Sequence, residues 1–117
     1  MQISVTALDG DLVHVTLTGR MDTLGADKMS LPFTAAVAAR LARVAVDLSE
    51  VDFLASAGLR QFFAVARAQK QRGGLVVLAA PRPDVLAVLT ATGVQQIIPV
   101  YDSLQDALAA LREHNPT

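Results

Sequence analysis

Two β-prone runs in the middle of the chain, residues 43–48 (RVAVDL) and 74–80 (GLVVLAA), are separated by a stretch whose apolar residues follow a helical period. Leu59, Phe62, Phe63 and Ala66 stand at i, i+3, i+4 and i+7, one face of an α-helix, and Gly73-Gly74 ends it. Strands joined through a helix pair as parallel neighbours in one sheet, with a right-handed crossover. The almost unbroken apolar run at 74–80 suits a strand buried on both faces. This strand, helix, strand unit constrains what the remaining segments can do.

The flanks extend it. Ile3, Val5 and Ala7 alternate with polar residues, as do Val13, Val15 and Leu17, and Asp9-Gly10 between them suits a tight hairpin turn. His14, Thr16 and Thr18 point to the other face, which the pattern predicts to be wet, with His14 on the solvent side. Residues 20–42 are alanine-rich, with Phe33, Val37 and Leu41 at helical spacing. Pro32 cannot donate a mid-helix hydrogen bond, so the expected helix starts near Ser30 with Pro32 in its first turn; a kinked helix starting earlier is the alternative. Residues 83–92 read as a helix with Pro83 at its start and Gly93 at its end, and residues 96–101 as a short strand. Ser103 and Asp106 suit a capping box, and Leu104, Leu108 and Leu111 form a final apolar stripe. His114 falls in the polar tail. The predicted order is β-β-α-β-α-β-α-β-α: one α/β domain over residues 1–117, its ordered core at 2–112. The expected architecture is a mixed, mostly parallel sheet with an N-terminal antiparallel hairpin, packed by helices.

Composition excludes several functions. Ten basic and eleven acidic residues give a formal charge of -1, which provides no bulk attraction to nucleic acid or anionic lipid. The absence of cysteine removes disulfides, thiolate metal sites and thiol nucleophiles, and two histidines are too few for an ordinary zinc site. No metal or cofactor is therefore expected. The start, MQISVTAL, lacks the basic residues and apolar run of a signal peptide, and no apolar stretch approaches the ~20 residues of a membrane span. The expectation is a soluble cytoplasmic protein without membrane insertion.

One segment invites a catalytic reading. Leu54-Ala55-Ser56-Ala57-Gly58 places a serine between strand and helix, as in the nucleophile elbow of hydrolases. The elbow's first glycine is missing, the strand is expected to end about six residues earlier, and only His14 or His114 can serve as base. No catalytic residue is expected. By pattern alone Ser56 is an N-cap, its hydroxyl contributing about 1 kcal/mol to the helix that follows.

The segment from Val46 to Leu59, VDLSEVDFLASAGL, resembles the signature of STAS domains, in particular bacterial anti-sigma factor antagonists. Leu17-Thr18-Gly19-Arg20-Met21-Asp22 is similar to the family's L-x-G-x-[LM]-D at the end of the second strand. Gly73-Gly74-Leu75 and Ala91-Thr92-Gly93-Val94 match its later landmarks in register. The resemblance implies a partner switch. An unphosphorylated antagonist binds a serine-kinase anti-sigma factor; phosphorylation of a serine, here Ser56 by position, ends the contact; a PP2C-type phosphatase resets it. It also implies a docking surface drawn from Met21, Asp22, Thr23, Leu54, Ala55, Ser56, Ala57, Gly58 and Leu59. Asp22, Asp47, Glu50 and Asp52 would sharpen the repulsion if they lie near the serine; solvated loop carboxylates are the alternative for all four and the expectation for Glu50 and Asp52. Ala55 departs from the Asp that many members carry there, and Ala57 from a frequent second Ser or Thr. A STAS scaffold in a signalling or lipid-transport complex, without phosphorylation, is the alternative. Exposure of Met21, Leu54 and Leu59 would mark them as interface, and burial as core.

Overall fold

The computed structural model describes residues 2–37 and 40–114, and for Ala36 the backbone alone. The elements are β1 (Gln2–Ala7), β2 (Leu12–Met21), α1 (Thr23–Val37), β3 (Arg43–Leu54), α2 (Ser56–Arg72), β4 (Leu75–Ala79), α3 (Pro83–Ala91), β5 (Val100–Tyr101) and α4 (Leu104–Glu113), with a 3-10 turn at Val94–Gln96. The strands form one sheet in chain order, β1 antiparallel to β2 and all later pairs parallel, which is the architecture the hydrophobic periods predicted.

Alternation along the strands divides the core in two. Val15 and Leu17 of β2, Val44, Val46 and Leu48 of β3, and Val76 and Leu78 of β4 share one buried cluster with Met29 and Phe33 of α1, Phe62 and Val65 of α2, and Val85 and Leu89 of α3. Phe33 and Phe62 meet edge to face, centroids 6.2 Å apart, joining the first two helices. Leu12, Ala45, Val77 and Ala79 face the other way, onto Ala107 and Leu111 of α4. Ser103 caps α4 by accepting the Asp106 amide at 3.1 Å. Thr18 is exposed, whereas His14 and Thr16 are half-buried, with His14 Nε2 3.1 Å from Thr16 Oγ1 and 3.6 Å from Asp47 Oδ2. His114, read as part of a loose tail, is half-buried and its Nε2 donates to the Gly73 carbonyl at 3.0 Å.

Three expectations need correction. The first helix begins at Thr23, not Ser30, because Asp22 starts it: the Gly25 amide donates to Asp22 Oδ1 at 2.8 Å and the Ala26 amide to the Asp22 carbonyl at 2.8 Å. Pro32 sits inside that helix on its exposed side, as does Lys28, whose carbonyl loses the i+4 donor where water can replace it. The last strand is two residues long, and the 3-10 turn takes the place of its expected start.

The third correction concerns β3, which runs six residues past its expected end to Leu54. Its pairing with β4 stops at Asp47–Ala79, and beyond that point it pairs only with β2, through Thr18–Glu50, Gly19–Val51, Arg20–Phe53 and Met21–Leu54. The sheet thus extends as a two-stranded ribbon, bulged where the register shifts at Thr16/Thr18 and Gly19/Arg20. Arg82 covers the free edge, donating from Nε to the Ser49 carbonyl at 2.9 Å with its guanidinium 3.8 Å from Glu50.

Candidate functional site

The ribbon ends in two helix starts side by side, since Met21 and Leu54 are paired and each hands over to a helix within two residues. At the β3–α2 junction a single residue turns the chain. Ala55 is extended (φ −104°, ψ 171°), and its amide donates to the Met21 carbonyl at 2.9 Å. Its own carbonyl accepts from the amides of Gly58 and Leu59 at 3.0 and 3.2 Å. Ala55 therefore occupies the cap position, with no side-chain group to cap, and Ser56 is the first helical residue. The N-cap reading of Ser56 fails because the strand runs on to Leu54. The Ser56 side chain is exposed, and its hydroxyl has no partner among the described residues. The amides of Ser56 and Ala57 lie ahead of the first intrahelical bond, the usual orphan donors of a helix start.

The neighbouring start, that of α1, is filled. Asp22 accepts from Gly25 through Oδ1 at 2.8 Å and from Arg20 Nε through Oδ2 at 3.2 Å. The Gly25 amide foremost, opposed by desolvation and helped by the Arg20 hydrogen bond and charge, holds the Asp22 carboxyl below the usual carboxylate range. Arg20 also stacks its guanidinium 3.9 Å from the centroid of the Phe53 ring, tying the two strands at the tip. Gly25 belongs to this turn because a Cβ there would lie 2.3 Å from the Arg20 carbonyl oxygen.

Met21, Leu54 and Leu59 are 0%, 4% and 7% exposed, so by the criterion set above they are core. They pack around Gly58, also buried, where a Cβ would lie 2.8 Å from Leu54 Cδ1 and from Met21 Cγ and Sδ. Thr23 and Ser56 are exposed, and Asp22, Ala55 and Ala57 are partly so. Sequence reasoning missed Phe53, Leu24 and Arg60, which present exposed side chains near this end. Of the four acids considered, Asp22 stands at the paired tip beside Ser56. Asp47 is engaged further down the strand by the Ser49 amide (2.9 Å) and His14, Glu50 faces Arg82, and Asp52 is solvated.

Neither histidine can act on Ser56. His14 pairs with Ala45, at the opposite end of β2 and β3 from Met21 and Leu54, and His114 is bonded to Gly73, past the far end of the 17-residue α2, roughly 25 Å along the helix. The single-residue junction does bring Ser56 closer to its strand than expected, and no imidazole accompanies it. Among the described residues no group of three or more His, Asp or Glu is placed to hold a metal ion, and no helix is long and apolar enough to cross a membrane.

The STAS domain model matches residues 2–107. The chain belongs to the STAS domain family. A STAS relative, the Bordetella bronchiseptica protein BtrV, described as an anti-sigma factor antagonist, is 32% identical over 116 residues, covering 99% of each chain. The crystal structure of an anti-sigma factor antagonist from Mycobacterium paratuberculosis superposes with a TM-score of 0.82 at 30% identity, over 96% of this chain and 94% of that one. The Bacillus cell fate determinant SpoIIAA, whose structure is known in a phosphorylated form, shares the fold with a TM-score of 0.67 at 16% identity, over 95% of this STAS chain and 100% of its own.

Proposed function

We propose that this protein is an anti-sigma factor antagonist that docks onto a serine-kinase anti-sigma factor through the face around Ser56 and is released when the kinase phosphorylates that serine. A PP2C-type phosphatase restores the docking form, and the protein itself, working in the cytoplasm, catalyses nothing. The observation that carries this reading is Ser56 as the exposed first residue of α2, its hydroxyl without a partner among the described residues. At the adjacent helix start the Asp22 carboxylate already accepts the Gly25 amide, while at α2 the cap residue is an alanine. A phosphate on Ser56 would bring about 1.5 to 2 negative charges to a helix start that tolerates them, so the fold would survive while the docking face became far more negative. The ionised Asp22 nearby adds to the repulsion felt by an acidic partner surface. With Met21, Leu54, Gly58 and Leu59 serving as support, the contact surface is Asp22, Thr23, Ala55, Ser56 and Ala57, joined by Phe53 and Leu24.

Ala55 favours a second reading, a permanent STAS scaffold, since it offers no carboxylate to position a kinase or metal. Affinities for the kinase separate the two. Ser56→Ala should bind like wild type, and Ser56→Asp should bind at least about tenfold more weakly, because a like charge set against an interface costs well over 1 kcal/mol. Equal affinities for all three proteins would leave the scaffold as the better account.

A further inference from the structure

The C-terminal half of α2 borders a groove of about 550 Å³, lined by Phe63, Ala66, Arg67, Lys70, Gln96 and Ile97. The chain reaches the two-residue β5 through the 3-10 turn, and that turn faces α2 across the groove. A second hollow of about 260 Å³ continues it toward Pro99, sharing Ala66, Lys70 and Ile97. The groove's apolar part is unusually open, since Ile97 is 68% exposed beside the half-buried Phe63.

Its charge is one-sided. Helix α2 carries Arg60, Arg67, Lys70 and Arg72 and no acidic residue. Among the described residues, Arg67 and Lys70, the two at the groove, have no ion-pair partner, and no carboxylate lines either hollow. Two unpaired cations beside an apolar wall complement a ligand with an anionic head and an apolar body. The volume falls in the range of roughly 300–1,000 Å³ found for small-ligand sites. A polyanion such as a nucleotide is a poorer match, because the groove has no glycine-rich turn and half of its lining is apolar.

We propose that this groove binds a single-chain amphiphile with an anionic head, dissolved rather than in a bilayer: the carboxylate sits between Arg67 and Lys70, and the chain lies along Phe63, Ala66 and Ile97. The site is distinct from Ser56, which lies seven to fourteen residues back along α2, roughly 10–20 Å, and the proposal stands whether or not that serine is phosphorylated.

The test is a titration of the isotope-labelled protein with decanoate below its micelle concentration, followed by amide NMR shifts. Shifts clustered on Phe63–Lys70 and Gln96–Ile97 are expected, with acetate and decanol binding at least about tenfold more weakly, since acetate lacks the chain that covers the apolar wall and decanol lacks the charge that pairs with the two cations. The double variant Arg67→Glu/Lys70→Glu alters two exposed side chains and should keep the wild-type spectrum while losing at least about tenfold in affinity. Ile97→Ser should weaken binding from the apolar side, so that the result does not depend on one variant. Shifts elsewhere on the surface, an unchanged affinity in the charge-reversed variant, or equal binding of decyltrimethylammonium would overturn the proposal.

Discussion

Replacing Gln69 by methionine tests how α2 is anchored at the end remote from Ser56. Gln69 is fully buried and is the only buried polar side chain of the described core. Its Oε1 accepts the Ala42 amide at 2.8 Å, and its Nε2 donates to the Val37 and Arg40 carbonyls, so one side chain closes the end of α1, the connection after it and the approach to β3. Methionine matches glutamine in length and helix propensity but leaves the Ala42 amide and the Val37 carbonyl buried without partners, and the Arg40 carbonyl partly so. At about 1–3 kcal/mol per orphaned buried group the penalty is roughly 3–6 kcal/mol, against which the apolar side chain recovers about 1–2 kcal/mol. A net loss of about 1–5 kcal/mol is expected, a large part of the ~5–15 kcal/mol available to a domain of this size and equivalent to a fall in Tm of roughly 5–25 °C. Urea unfolding followed by far-UV circular dichroism measures it, with Gln71→Met, exposed on the same helix, expected within about 0.5 kcal/mol of wild type. If both variants unfold at the wild-type midpoint, the network contributes nothing and the argument is wrong.

Two further predictions concern the helix start beside Ser56. Because the Asp22 carboxyl is held below 3.8 in the folded protein, its contribution is fully present above about pH 5 and is lost as the pH falls through the folded value. The stability gap between wild type and Asp22→Asn should therefore be full at neutral pH and close below pH 3.8, as urea midpoints at several pH values would show. Gly25→Ala forces a Cβ to within 2.3 Å of a backbone oxygen and should destabilise by about 1–3 kcal/mol in the same assay, where a neutral outcome would contradict the close approach.

The element order was legible because each segment keeps one period, two in β2 and 3.6 in α2, and because glycine and proline mark the breaks around α3. The end of β3 was not. Ser49, Glu50 and Asp52 are poor strand formers, and what holds them extended is pairing with β2, a partner thirty residues away that no local window contains. That single misplacement turned Ser56 from the first helical residue into an apparent cap, although its position at the helix start was right. The early start of α1 was obscured by Gly25 and Pro32, yet Asp22 followed by the Gly25 amide is the cap signal that would have revealed it. Gln69 carried a readable sign as well: it continues the buried spacing of Phe62 and Val65, where a polar residue stays only if hydrogen-bonded. Met21, Leu54 and Leu59 illustrate the converse, since their nearness in sequence to Ser56 says nothing about which way they face.

The central claim rests on the exposed hydroxyl of Ser56, without a partner among the described residues. Its most direct test is intact mass spectrometry of the wild type and Ser56→Ala after incubation with the cognate serine kinase and ATP. The account predicts a single added phosphate on the wild type and none on Ser56→Ala; an unmodified wild type, or equal phosphorylation of both proteins, would contradict it.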